Sequence, residues 1–136
     1  MSYKLILIED DEIFTYLLEK SIKKIGLLEP TATFPNGEKA CNYFKTKYCK
    51  EDNYVIFLDI NMPVMNGREC LNILSTFMEA SNCLLFILTS SRNLSDIDAF
   101  QANPLVSKYI TKPIGDAELK SLKDLIEEKF GEPTAN

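Results

Sequence analysis

The chain has no histidine. That absence excludes a Ser-His-Asp triad, a Cys-His pair, a His-ligated metal site and a phosphohistidine carrier. Basic charge is also in short supply: 15 Lys plus Arg stand against 20 Asp plus Glu, a formal charge of −5. A surface of that sign does not neutralise phosphates, which argues against direct nucleic-acid binding. No apolar run approaches the ~18 residues of a membrane span. The apolar stretch after Met1 breaks off at Glu9-Asp10-Asp11, too early for the core of a signal peptide. The four cysteines, Cys41, Cys49, Cys70 and Cys83, show no C-x-x-C spacing and fall on different expected elements. They read as reduced thiols of a cytoplasmic protein rather than a disulfide framework or a zinc site. Repeats and low-complexity linkers are absent too. What remains is a 136-residue chain, 46% hydrophobic and 26% charged, of the size and makeup of one globular domain.

Apolar runs alternate with helical patterns along this chain. Residues 3–8 (YKLILI) form a short strand run ending in acids. Phe14, Leu17, Leu18, Ile22 and Ile25 then recur at helical spacing, with Gly26 as a stop signal. Residues 31–34 read as a strand, and the preceding Pro30 suggests a sheet edge. Asn36-Gly37 opens a helix carrying Ala40, Tyr43 and Phe44. Residues 54–58 (YVIFL) are a strand with no polar face, ending at Asp59. Cys70, Leu71, Leu74, Phe77 and Met78 mark a third helix, and 84–88 (LLFIL) a fourth strand ending at Thr89. A short helix near 95–103 with a weak stripe of Ile97 and Phe100 leads to a fifth strand at 106–110. Leu119, Leu122, Ile126 and Phe130 mark the last helix. Strands apolar on both faces, alternating with helices, predict a doubly wound, five-stranded parallel α/β sheet with helices on both faces.

In such sheets the working site lies at the carboxyl ends of the strands. Those ends carry Glu9, Asp10 and Asp11; Asp59 with Asn61; Thr89, Ser90 and Ser91; and Lys112 before Pro113. Each has a plain structural reading: Asp10 or Asp11 as a helix cap, Asp59 as the start of the turn through Pro63 and Asn66-Gly67, Thr89-Ser90-Ser91 as a cap, Lys112 as a solvated loop residue. None of these explains why all share one rim. Carboxylates about 5 Å apart repel by about 3 kcal/mol per pair at an effective dielectric of about 20, so a cation is expected among them. Oxygen ligands without histidine select Mg2+ or a similar ion such as Mn2+, which expects phosphate to complete its shell. A carboxylate beside it can attack phosphorus and become an acyl phosphate. The Lys112 ammonium and Thr89 hydroxyl would neutralise the remaining phosphoryl oxygens, and the small Ser90 would leave access for a bulky donor.

The ordered set LILIEDDE (5–12), FLDINMPVMNG (57–67), ILTSS (87–91) and YITKP (109–113) resembles a response-regulator receiver domain of two-component signalling, over the whole chain. The resemblance implies a flavodoxin-like sheet of order 2-1-3-4-5. It implies Asp59 as phosphoacceptor, and a metal held by Glu9, Asp10, Asp59 and the backbone carbonyl of Asn61. Thr89 and Tyr109 would be the switch pair, Lys112 the phosphate partner, and Asn61 and Ser91 the residues that tune phosphate lifetime. For the acidic pair, Glu9-Asp10 and Asp10-Asp11 both fit the motif; the strand pattern favours Glu9-Asp10, with Asp11 opening the helix. Departures from the common pattern are Glu for Asp at the first acid and Asn66 where Asp is frequent. The donor would be a sensor histidine kinase or histidine phosphotransfer protein, acting on a chain that catalyses its own phosphorylation. Output would pass through the surface of helix 4, strand 5 and helix 5 to a partner protein, or onward by phosphotransfer. Residues 1–131 are expected to be the receiver and 132–136 a polar tail, with no output domain.

Two other readings compete. A haloacid-dehalogenase-type phosphatase also sets an Asp, a Thr or Ser and a Lys around magnesium. It needs a second aspartate where Asn61 stands, and an acidic motif after the lysine; Asp116, Glu118, Asp124, Glu127 and Glu128 lie instead on an amphipathic helix pattern. A receiver fold that works unphosphorylated, as an interaction module, is the other.

Overall fold

The computed structural model describes residues 3–27, 29–62, 64–90 and 94–131, with 94–96 described by backbone alone. Pro63, Ser91 and the expected tail 132–136 lie outside the described residues. Five strands alternate with five helices: β1 (Lys4–Ile8), α1 (Glu12–Ile25), β2 (Ala32–Phe34), α2 (Gly37–Lys47), β3 (Tyr54–Asp59), α3 (Gly67–Leu74), β4 (Cys83–Thr89), α4 (Leu94–Gln101), β5 (Val106–Thr111) and α5 (Asp116–Phe130). All four strand pairings are parallel, in the spatial order β2-β1-β3-β4-β5. The expected doubly wound sheet is therefore the fold.

Its layers follow from the alternation along each strand. Leu5, Leu7, Val55, Phe57, Phe86 and Leu88 face one way and pack with Leu18 and Ile22 of α1 and with Leu119, Leu122, Ile126 and Phe130 of α5. Ile6, Ile8, Ile56, Leu58, Leu85 and Ile87 face the other way, against Ala40 and Phe44 of α2, Leu71 and Leu74 of α3, and Phe100 of α4. Every residue of β3 and β4 is buried, which only a sheet covered on both faces allows. Phe57 and Phe86 pair across these strands with ring centroids 5.3 Å apart; truncating either to alanine costs about 3–5 kcal/mol. The edge strands β2 and β5 are only partly buried.

Helix starts match the sequence signals. Asp11 caps α1, Asn36 caps α2, and Asn66 with Glu69 forms a capping box on α3. The end of the third helix differs most, and the fourth, expected near 95–103, is Leu94–Gln101. The third helix ends at Leu74, so Phe77 and Met78 lie beyond it. Past Leu74 the backbone bonds tighten to i→i−3 spacing, Thr76 N–H to Ile73 O at 3.1 Å and Phe77 N–H to Leu74 O at 3.2 Å, and the Ser75 and Thr76 hydroxyls bond back onto Leu71 O and Ile73 O at 2.7 and 2.6 Å. A 3-10 turn, Ala80–Asn82, then leads into β4. Among the described residues no helix is long and apolar enough to cross a membrane.

Candidate functional site

The carboxyl ends of β1, β3, β4 and β5 meet on one rim. Parallel pairing in register sets Ile8 beside Leu58 and Asp59 beside Leu88, so the acids that follow β1 arrive next to the end of β3. Glu9 is held by its backbone N–H, which donates to Phe34 O at 2.9 Å on β2. Asp11 turns away to cap α1: its Oδ1 accepts from Ile13 N and Phe14 N at 3.0 and 3.1 Å. The acids that converge are therefore Glu9, Asp10 and Asp59, each with an oxygen within 4.8 Å of the others. Glu9 and Asp59 are buried, at 6% and 3% exposure, and Asp10 is open to solvent.

Lys112 reaches this cluster from the end of β5. Its backbone N–H donates to Thr89 O at 2.8 Å, which docks the residue beside the end of β4. Its ammonium contacts Glu9 Oε1 and lies 3.5 Å from Asp59 Oδ2. The Lys112-Pro113 peptide is cis. Thr89 is fully buried at the last position of β4. Asn61 is exposed, and its backbone N–H donates to Asp59 Oδ1 at 3.1 Å. Ser90 is exposed on the same rim. Tyr109 is half-buried on β5, its ring 6.2 Å from that of Phe100 on α4.

Two features of the site lie outside the sequence reading. Phe14, one of the apolar residues at helical spacing, is half-buried, and its ring carries the Lys112 ammonium 4.3 Å from its centroid. Its place in the first turn after the acidic pair is the sequence signal for that contact. Gly67 starts α3 hard against the backbone of Asp59: its N–H donates to Ile60 O at 3.2 Å, and a Cβ there would lie 2.4 Å from Asp59 O. Only glycine allows that approach.

Among the described residues, the Lys112 ammonium is the one positive charge in contact with these acids. Burial, with the neighbouring Asp59 carboxyl, pushes the Glu9 carboxyl up to about 8, against the opposing pull of Lys112 and the Asp11 N–H. A single lysine does not balance three carboxylates, two of them desolvated. An all-oxygen set of this kind fits a hard divalent cation such as Mg2+ or Mn2+.

A family model described as the response regulator receiver domain matches residues 5–123. The chain belongs to that family. As a receiver it is a component of two-component signalling, and its family binds Mg2+ at an acidic pocket and interacts with histidine kinases or phosphotransfer proteins. The receiver is 30% identical over 129 residues to the protein-glutamate methylesterase/protein-glutamine glutaminase of Halalkalibacterium halodurans, matching 93% of this chain and 35% of that one. The chain thus spans about a third of that relative. A two-component response regulator from Cytophaga hutchinsonii has a TM-score of 0.82 at 25% identity, over 93% of this chain and 98% of that one. A chain of the CheX-CheY-BeF3-Mg2+ complex from Borrelia burgdorferi shares the fold, with a TM-score of 0.75 at 21% identity over 93% and 88% of the two chains.

Proposed function

We propose that Asp59 accepts a phosphoryl group from the phosphohistidine of a sensor histidine kinase or histidine phosphotransfer protein. The observation that carries this reading is the convergence of Glu9, Asp10 and Asp59 within 4.8 Å, with the Lys112 ammonium 3.5 Å from Asp59. Glu9, Asp10, Asp59 and the Asn61 carbonyl would hold Mg2+ or Mn2+. Bound there, the ion would supply positive charge to the carboxylates and to the incoming phosphoryl oxygens. The Asp59 carboxylate attacks phosphorus, the P–N bond to the donor imidazole breaks, and an acyl phosphate forms. Lys112, already anchored over Phe14, pairs with a phosphoryl oxygen. The exposed Ser90 leaves the donor an approach, and by the family's pattern Asn61 and Ser91 would tune the phosphate's lifetime.

The modification adds about −1.5 to −2 charge beside a buried hydroxyl. Thr89 turns toward it and Tyr109 moves inward, which alters the α4–β5–α5 surface for a partner protein or for onward transfer. Residues 1–131 act as one receiver, in the cytoplasm, as a phosphoacceptor. The phosphatase alternative is disfavoured because Asp116, Glu118, Asp124 and Glu128 are exposed on α5, where Asp116 pairs with Lys24 at 3.0 Å.

Intact mass after incubation with Mg2+ and acetyl phosphate tests the proposal. Wild type gains one phosphoryl group of ~80 Da; Asp59→Asn does not, and EDTA abolishes the gain. Fast hydrolysis could hide the adduct, so beryllofluoride binding is measured in parallel. Failure of both would leave the unphosphorylated interaction module.

A further inference from the structure

Two cysteines 29 positions apart in sequence, neither of them within a quoted motif, meet in the interior. Cys41 of α2 and Cys70 of α3 share a hydrogen bond with their sulfurs 3.4 Å apart. Both are free thiols, exposed by 1% and 0%. The approach is built into the backbone. Gly37 N–H donates to Met65 O at 3.1 Å, and a Cβ on Gly37 would lie 2.7 Å from that oxygen and 3.0 Å from Cys70 Cβ. Gly37 thus lets the start of α2 press onto Met65 and the first turn of α3. A third sulfur, Met65 Sδ, lies 3.8 Å from Cys41 Sγ on the half-buried loop that precedes α3.

We propose that Cys41 and Cys70 are an oxidisable pair that a hydroperoxide converts to a disulfide joining α2 to α3. The two sulfurs already touch, so bonding needs a closure of little more than 1 Å toward the ~2.05 Å of a disulfide. The pair is also chemically unequal. The Cys70 hydrogen bond lowers the Cys41 thiol below its ordinary value, against the opposing effect of burial and with a smaller pull from Lys45, while the same contact and burial raise Cys70. Cys41 is therefore the attacking sulfur, since the thiolate is the nucleophile. It attacks one peroxide oxygen, the O–O bond breaks, and the departing hydroxide leaves as water once protonated; Cys41 becomes a sulfenic acid. Cys70 then attacks the Cys41 sulfur, the S–O bond breaks, and the hydroxide leaves as a second water with the Cys70 proton. Two thiols lose two electrons in total, and hydrogen peroxide is reduced to two waters. The oxidant enters by displacement of the Met65 side chain, which lies against Cys41 at the edge of the pair. Nothing in this step uses Asp59 or its neighbours.

The test is made on the folded, fully reduced protein carrying Cys49→Ser, which removes the one thiol that is not buried. Hydrogen peroxide is added without denaturant, free thiols are then alkylated in denaturant, and the protein is mapped by mass spectrometry. The expected product lacks the mass of two hydrogen atoms, contains one peptide crosslinked through Cys41 and Cys70, and reverts with dithiothreitol. Closing that loop raises the melting temperature by several degrees relative to the reduced form. Cys41→Ser and Cys70→Ala, each checked for a cooperative melt, lose the crosslink. A second probe keeps the result independent of those variants: in the Cys49→Ser protein the crosslink forms faster when Met65 is replaced by alanine. A crosslink that forms only in denaturant, or Cys41 oxidised without recruiting Cys70, overturns the proposal.

Discussion

At the amino end of the sheet, Asn82 Nδ2 donates to Asp52 O at 2.7 Å and to Lys50 O at 3.3 Å, while its Oδ1 accepts from Tyr48 OH at 3.0 Å. Lys129 donates to Ala80 O and Cys83 O at 2.7 and 3.1 Å, and Lys4 pairs with Asp52 at 3.0 Å. At the carboxyl end, Glu9 and Asp59 are as buried as Asn82, yet they face Asp10 and one another with one lysine among them. Donors meet acceptors at one end and like charges meet at the other. Buried polar groups arranged the first way hold a fold together. Arranged the second way they weaken it unless something else binds, and that is the mark of a working site.

Of the two ends, the amino end gives the larger effect on stability when broken. Asn82→Ala removes the donor for the carbonyls of the 49–52 turn and leaves Tyr48 OH without its acceptor there. The expected loss is about 3 kcal/mol, or roughly 10 °C in melting temperature. Mg2+ affinity, measured by titration of the folded variant, stays within about twofold of wild type, since additivity holds between distant sites. If Asn82→Ala weakened Mg2+ binding as much as Glu9→Gln does, the two ends would not be separable.

The two ends also titrate in different windows. The folded protein holds Glu9 protonated up to about 8, whereas the unfolded chain releases that proton near 4.5. Folded protein therefore binds more protons between those values, and the stability this contributes is present below about 4.5 and lost as pH rises through about 8. Mg2+ displaces that proton, so its affinity rises by up to about tenfold per pH unit until about 8. The amino end responds in alkali. Burial pushes the Cys83 thiol from near 9 up to about 12, so its contribution is present below 9 and lost as pH climbs through 12. Burial raises Tyr54 and the Asp52 hydrogen bond raises Lys4, with the same sign. Thermal melts across pH with and without Mg2+ check this: Glu9→Gln flattens the neutral window, and Mg2+ leaves the alkaline one unchanged.

How much of this the chain announces depends on range. β3 and β4 are legible because an unbroken apolar run has one way to be buried, and their ends follow from the first acid or hydroxyl. Asp11 is legible as a cap because it precedes a periodic helix. The end of α3 was not, since Ser75 and Thr76 act through local hydrogen bonds that leave the apolar period intact. Contacts set by helix packing were hidden too. Cys41 against Cys70, and Phe14 under Lys112, depend on which faces the sheet brings together.

Val64 is the smallest case and the sharpest, because it places strain at the working end. It has φ of 70° and is 74% exposed, a left-handed backbone that a β-branched residue adopts at a cost of about 1–2 kcal/mol. Nothing at the amino end is held this way: among the described residues the other positive φ angles belong to glycines, Gly26 and Gly131. Asparagine tolerates that conformation, so Val64→Asn should raise stability by about 1 kcal/mol, roughly 3–5 °C. An exposed side chain does not hold Asp59 in place, so phosphoryl labelling by acetyl phosphate should keep its wild-type rate. Labelling by a protein donor is the discriminating measurement. If it also stays constant, the strain is incidental to the loop. If it falls while the small-molecule rate holds, Val64 is kept at the rim, against its backbone preference, to meet the donor.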